Sequence, residues 1–114
     1  MTTIYIAIAL FALSAVLGLS ILIKWLTHKD ASKGVIYSHG IVAAAALVTL
    51  VVFAFNNPDN FPKVSLILFV ISAVVGFYMF FRDLRKKMSP MGLAVAHGIV
   101  AVLGFVALLL FAFA

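Results

Sequence analysis

The chain has no cysteine, 10% charged residues, and only 3 acidic side chains among its 114 residues. Without cysteine there is no disulfide, no thiolate metal site and no thioether-linked haem. A hydrated globular surface carries roughly 25% charged residues, so this chain has too few to be a soluble domain. Asp30, Asp59 and Asp83 lie in or beside the gaps between apolar runs, which excludes a carboxylate relay at membrane depth. The small proton-coupled transporters that depend on such a carboxylate are therefore a poor match. No nucleophile–base pair, phosphate loop or metal-hydrolase motif occurs, which points away from a stand-alone enzyme.

What the chain does have is apolar length. Hydrophobic residues make up 67% of it, and its mean hydropathy is +1.31. They fall in four runs: Ile4 to Ile23, Gly34 to Phe55, Val64 to Phe81, and Met91 to Ala114. Each is roughly 18 residues or longer, enough to cross a hydrocarbon core about 30 Å thick at about 1.5 Å per residue. Backbone groups find no water there, so each run closes its hydrogen bonds as a helix. The first run has no Lys or Arg ahead of it and exceeds a signal-peptide core, so it is read as a retained helix. Ser89-Pro90 reads as an N-cap and first helical residue, and the Asn56 to Pro62 segment reads as a turn.

Basic residues are sorted by side. Lys24, Lys29 and Lys33 flank the first connection, and Arg82, Arg85, Lys86 and Lys87 flank the third, leaving only Lys63 in the second. That bias predicts a cytoplasmic location for the first and third connections and a non-cytoplasmic location for both termini. An integral protein of a bacterial inner (plasma) membrane is expected. The formal charge of +5 reflects this sorting, so anionic lipid headgroups of the bilayer, not nucleic acid, are the expected partners of the basic rim.

The halves repeat. A shift of 58 residues aligns them without a gap, with 19 identities over the 46 positions from Leu10 to Phe55. Ser14-Ala15-Val16 matches Ser72-Ala73-Val74, Gly18 falls on Gly76, Lys24 on Arg82, and His39-Gly40-Ile41-Val42-Ala43 on His97-Gly98-Ile99-Val100-Ala101. The expected fold is all-α: one membrane domain over residues 1–114, a four-transmembrane-helix bundle. It is built from two tandem helical hairpins, about 1–56 and 59–114. A unit of two helices enters the membrane the same way twice, so the pseudo-twofold axis runs along the membrane normal.

His39 and His97 are the only ionisable groups well inside the spans. They lie about 9 Å and about 12 Å along their helices from Lys33 and Ser89. An ionisable side chain within a membrane span is a functional-site hypothesis by default. Two imidazoles at one depth on diagonal helices can supply the two axial ligands of one b-type haem iron. Gly18 and Gly76 stand at the same depth, Gly40 and Gly98 adjoin the histidines, and Lys24, Lys33, Arg82 and Arg85 lie where propionates would emerge. Other readings account for parts of the pattern. Ser14 with Gly18, and Ser72 with Gly76, form a small-xxx-small pattern that lets helices approach closely. Buried histidines can be structural, bonded to a carbonyl or to each other, or can serve a transition metal or a quinone. Two histidines are too few for a closed zinc site. His28 reads as solvated, Tyr37 as interfacial, and Phe53, Phe55, Phe111 and Phe113 as lipid-facing.

A four-helix membrane bundle with intramembrane histidines resembles the small membrane b-type cytochromes, and the resemblance spans all four helices. It implies one-electron transfer within or beside a respiratory chain, with a quinone or a redox membrane subunit as partner. Such proteins often hold two haems on four histidines; the single pair here implies one. The competing expectation is a non-catalytic accessory subunit of a larger membrane complex, with no cofactor.

Overall fold

The computed structural model describes residues 1–87 and 89–114. Four helices are present: α1 (Thr2–Leu26), α2 (Lys33–Asn56), α3 (Lys63–Leu84) and α4 (Met91–Phe113). No strand occurs among the described residues. All four are long and apolar enough to cross a membrane, as an integral membrane protein requires. They stand side by side in a body of 44 × 23 × 22 Å. Short connections make neighbours of α1 and α2, and of α3 and α4. The hairpins meet along two seams, a longer one between α1 and α4 and a shorter one between α2 and α3. One end of the bundle carries both termini and the 57–62 connection, and the other carries the two basic connections.

The helix ends have identifiable causes. Ser32 caps α2 by accepting a hydrogen bond from the Val35 N–H, although at 3.4 Å. The expected Ser89 cap is not formed: α4 starts at Met91 after Pro90, with no side-chain cap bond. Pro90 brings its own fixed φ and has no N–H to satisfy, so the start stands without a serine bond. α1 and α3 end alike. His28 and Lys86 adopt left-handed φ values of 58° and 57°. Lys29 N–H then donates to Lys24 O at 2.8 Å, and Lys87 N–H to Arg82 O at 2.9 Å, satisfying orphan carbonyls in a six-residue closure.

The apolar side chains mostly point outward, as they must where the surrounding solvent is hydrocarbon. Val16, Ile41, Val74 and Ile99 all lie on the outside. Inside, the terminal end holds the aliphatic and aromatic core of Ile4, Ala7, Phe11, Ala46, Leu50, Phe53, Phe69 and Leu108. Phe11 and Phe69 stack with ring centres 3.8 Å apart, and Phe53 meets Phe111 edge-on at 5.9 Å. Phe53 thus lies buried against a half-buried Phe111, whereas Phe55 is on the outside. Phe113 stacks on Tyr5 across the α1–α4 seam. Buried positions recur 58 residues apart: Ile4 with Pro62, Ala7 with Ser65, Phe11 with Phe69, Ser14 with Ser72, Ile21 with Met79, Ala46 with Gly104, and Leu50 with Leu108.

A candidate ligand site of two histidines

On the basic side of the Phe11–Phe69 stack the interior changes character. The next buried residue on α1 is Ser14, one turn further is Gly18, and Ile21 closes the layer; α3 presents Ser72, Gly76 and Met79 in the same order. From Phe11 to Ile21 is about 15 Å of helix in which the inward residues are small or polar.

His39 reaches from α2 into this layer. Its Nδ1 lies 2.8 Å from the Ser14 carbonyl oxygen and 3.1 Å from the Ser14 hydroxyl. His97 does the same from α4, with Nδ1 2.8 Å from the Ser72 carbonyl and 3.1 Å from its hydroxyl. A carbonyl oxygen only accepts, so Nδ1 carries the proton and donates in both rings. Each serine hydroxyl turns its own hydrogen to the main-chain oxygen of the histidine, at 3.4 Å for Ser14 and 3.2 Å for Ser72. In a neutral ring the proton on Nδ1 leaves a lone pair on Nε2, and neither Nε2 has a hydrogen-bond partner among the described residues.

The glycines explain how an imidazole gets this close to a helix backbone. A Cβ on Gly18 would sit 2.8 Å from Cε1 of His39, and one on Gly76 would sit 3.0 Å from Cε1 of His97. The residue four places after the accepting carbonyl must therefore lack a side chain. Ser-x-x-x-Gly is a socket for a ring from the neighbouring helix, and the small-xxx-small pattern has that specific occupant here. Gly40 and Gly98 make no room for an imidazole: a Cβ at either meets nothing within 4 Å.

The two rings face each other across the bundle. Their centres are 6.2 Å apart and their planes stand at 82°. A metal–imidazole bond of about 2 Å, with about 1 Å more to the ring centre, spaces two trans imidazoles on one ion by about 6 Å. No group of three or more His, Cys, Asp or Glu gathers among the described residues, so the pair alone cannot enclose a bare zinc ion. A haem brings its own four equatorial nitrogens and asks the protein for two axial ligands, so the donor set fits that group.

The comparisons with known proteins find nothing similar. No family model matches the chain, and no curated protein or solved structure resembles it significantly. The functional reading rests on the residues themselves.

The basic end is partly engaged. Lys33 pairs with Asp83 at 3.0 Å across the α2–α3 seam, which commits one of the four cations read from the sequence as propionate partners. Tyr37 meets Phe80 on α3 in the same seam, with ring centres 5.7 Å apart. Arg82 is half-buried and lies over the Tyr78 ring, 5.8 Å from its centre. Lys24 and Arg85 are exposed, and His28 is exposed at the α1 terminus, where its left-handed backbone is its structural contribution. Sequence reasoning missed the Ser14 and Ser72 contacts. The signal was present, because serine precedes histidine by 25 residues in both halves.

Proposed function

We propose that this chain is a b-type cytochrome-like protein of the plasma membrane that binds one haem through His39 and His97 and transfers single electrons. The observation that carries the reading is the imidazole pair, with centres 6.2 Å apart and both Nδ1 atoms already committed to backbone carbonyls. Fixing the proton on Nδ1 through an outer partner is the usual way a protein orients a histidine ligand and raises its basicity.

The haem reading includes a symmetric scaffold: two hairpin repeats, about 1–56 and 59–114, around a pseudo-twofold axis along the membrane normal. A residue that touches its own counterpart lies on such an axis. Three contacts of that kind support it: Phe53 with Phe111, Phe11 with Phe69, and His39 with His97. The basic end faces the cytoplasm by the bias in Lys and Arg, which puts both termini on the other side.

When bound, the haem iron supplies one-electron redox chemistry. The chain's own residues do the rest. His39 and His97 would hold the iron, Ser14 and Ser72 orient the rings, and Gly18 and Gly76 leave the rings room. The Phe11–Phe69 stack on one side and Ile21 with Met79 on the other shut the layer along the bundle. Lys24 and Arg82 are the cations proposed for the propionates. The lipid bilayer surrounds the bundle, and a quinone or a redox membrane subunit is the electron partner. Either His39→Ala or His97→Ala abolishes the low-spin haem spectrum of the detergent-purified protein. Full low-spin haem in both single variants would sink the assignment.

A second reading has one specific observation in its favour: each imidazole is bonded within its own hairpin, as a purely structural clasp would be. On that reading the chain is a cofactor-free accessory subunit of a larger membrane complex. It then purifies colourless, and either histidine variant lowers stability without changing any visible absorption.

A further inference from the structure

We infer that Ser14 and Ser72 are positioning residues that lock the two imidazole planes near-perpendicular, and so set the electronic state of the iron they would share. This inference rests on the haem reading for its spectroscopic consequence, but its structural content belongs to the chain alone.

A ring turning about its bond to Cβ has its plane set by where Nδ1 is held, and two contacts hold that atom more narrowly than one. The carbonyl of Ser14 supplies one, at 2.8 Å from Nδ1. A single acceptor aims Nδ1 but leaves it a range of swing within hydrogen-bond distance. The hydroxyl supplies the second. It lies 3.1 Å from Nδ1 while its hydrogen is turned to the main-chain oxygen of His39, so it ties the ring to the backbone of its own helix. Ser72 repeats both contacts at His97, at 3.1 Å and 3.2 Å. Both serines are buried, at 5% and 4% exposure, so water does not compete for these bonds. The glycines complete the lock from the other side, because Gly18 and Gly76 hold the Cε1 edges of the rings against the α1 and α3 backbones. The two sockets are built alike yet turn the planes 82° apart. Equal sockets related by a twofold axis give a fixed angle, and nothing in the pair itself favours one.

The angle has a chemical consequence. Axial imidazoles in parallel planes direct their π overlap at one iron d orbital and split the lowest set widely. Perpendicular planes share the overlap between two d orbitals and leave them close in energy. A ferric low-spin iron between these rings therefore gives a strongly anisotropic electron paramagnetic resonance signal. Ser14→Ala and Ser72→Ala keep the carbonyl acceptor and the ligand but release the plane.

The experiment compares wild-type protein with the Ser14→Ala/Ser72→Ala double variant and with Ser14→Thr/Ser72→Thr, which keeps the hydroxyls. Ser65→Ala is the control, because Ser65 is as buried but donates to Gly104 O, away from the rings. Haem-loaded wild type, the threonine variant and the control show the strongly anisotropic signal. The alanine variant stays low-spin but its signal shifts toward the less anisotropic form. In haem-free protein both forms keep the Nδ1–H tautomer that the carbonyls fix, and nuclear magnetic relaxation of the imidazoles shows a held ring plane in wild type and a rocking one in the alanine variant. An alanine variant with both the wild-type signal and the wild-type ring relaxation would overturn the inference. If no haem binds, the haem reading fails, and the ring relaxation of the haem-free protein still decides whether the serines hold the rings.

Discussion

Between the chain start and Phe11, α1 meets its neighbours through Ile4, Ala7 and Phe11; from Ser14 to Gly18 it meets α2 through a carbonyl, a hydroxyl and a missing side chain. The first region is held by interdigitated apolar side chains, with Leu50 and Leu108 fully enclosed. The second has little apolar side-chain packing and is held by hydrogen bonds that reach across helices. In a bilayer the hydrophobic effect does not draw helices together, because lipid is as apolar as leucine. Tight packing at one end secures the bundle, which lets the other end keep polar groups around two rings. Apolar packing and the polar histidine layer thus occupy different depths of the same four helices.

The contrast predicts effects that separate the two regions. Leu50→Ala and Leu108→Ala remove fully buried side chains from the packed end and should each destabilise by about 2–5 kcal/mol. Thermal unfolding in detergent measures this, and the histidine layer should keep its ligand-binding signature below the transition. Gly18→Ala comes next. Its Cβ would lie 2.8 Å from His39 Cε1, so the ring must shift, a loss of about 1–3 kcal/mol with a disturbed ligand spectrum. Gly76→Ala should behave the same way but more mildly, since the clash there is 3.0 Å. Gly40→Ala meets no neighbour and, by helix propensity, should gain up to about 1 kcal/mol. If Gly18→Ala and Gly40→Ala gave the same change, the socket would be refuted.

Smaller effects belong to the ends. His28→Gly and Lys86→Gly relieve left-handed backbones at φ 58° and 57° and should each stabilise by about 1 kcal/mol in the same melting assay. Lys33→Ala and Asp83→Ala break an ion pair whose side chains are 60% and 35% exposed, so the loss should stay below about 1 kcal/mol and fade in high salt.

Much of this architecture was legible before any coordinates. Helix boundaries differ from the apolar runs by a few residues, because Thr2, Lys24 and Asn56 continue a helix that hydropathy alone does not extend over polar residues. The histidines stood out because they are the ionisable groups within apolar runs. The sockets did not. A serine and a glycine four apart read as close packing, and only the fold shows that the neighbour is an imidazole 25 residues away in sequence. Sequence alone places Phe53 and Phe111 against lipid because nothing along one helix tells an inward phenylalanine from an outward one when both surroundings are apolar. Their facing contact depends on how the two hairpins dock. The Lys33–Asp83 pair was hidden for the same reason, since its partners lie 50 residues apart and on different hairpins.

The most direct measurement of the central claim is a dithionite-reduced minus air-oxidised absorption spectrum of the purified protein, made with ample haem. Two imidazoles on one iron predict a sharp α band of the bis-histidine haem b type, with one haem per chain. A featureless difference spectrum would contradict the account and leave the paired sockets as a structural clasp.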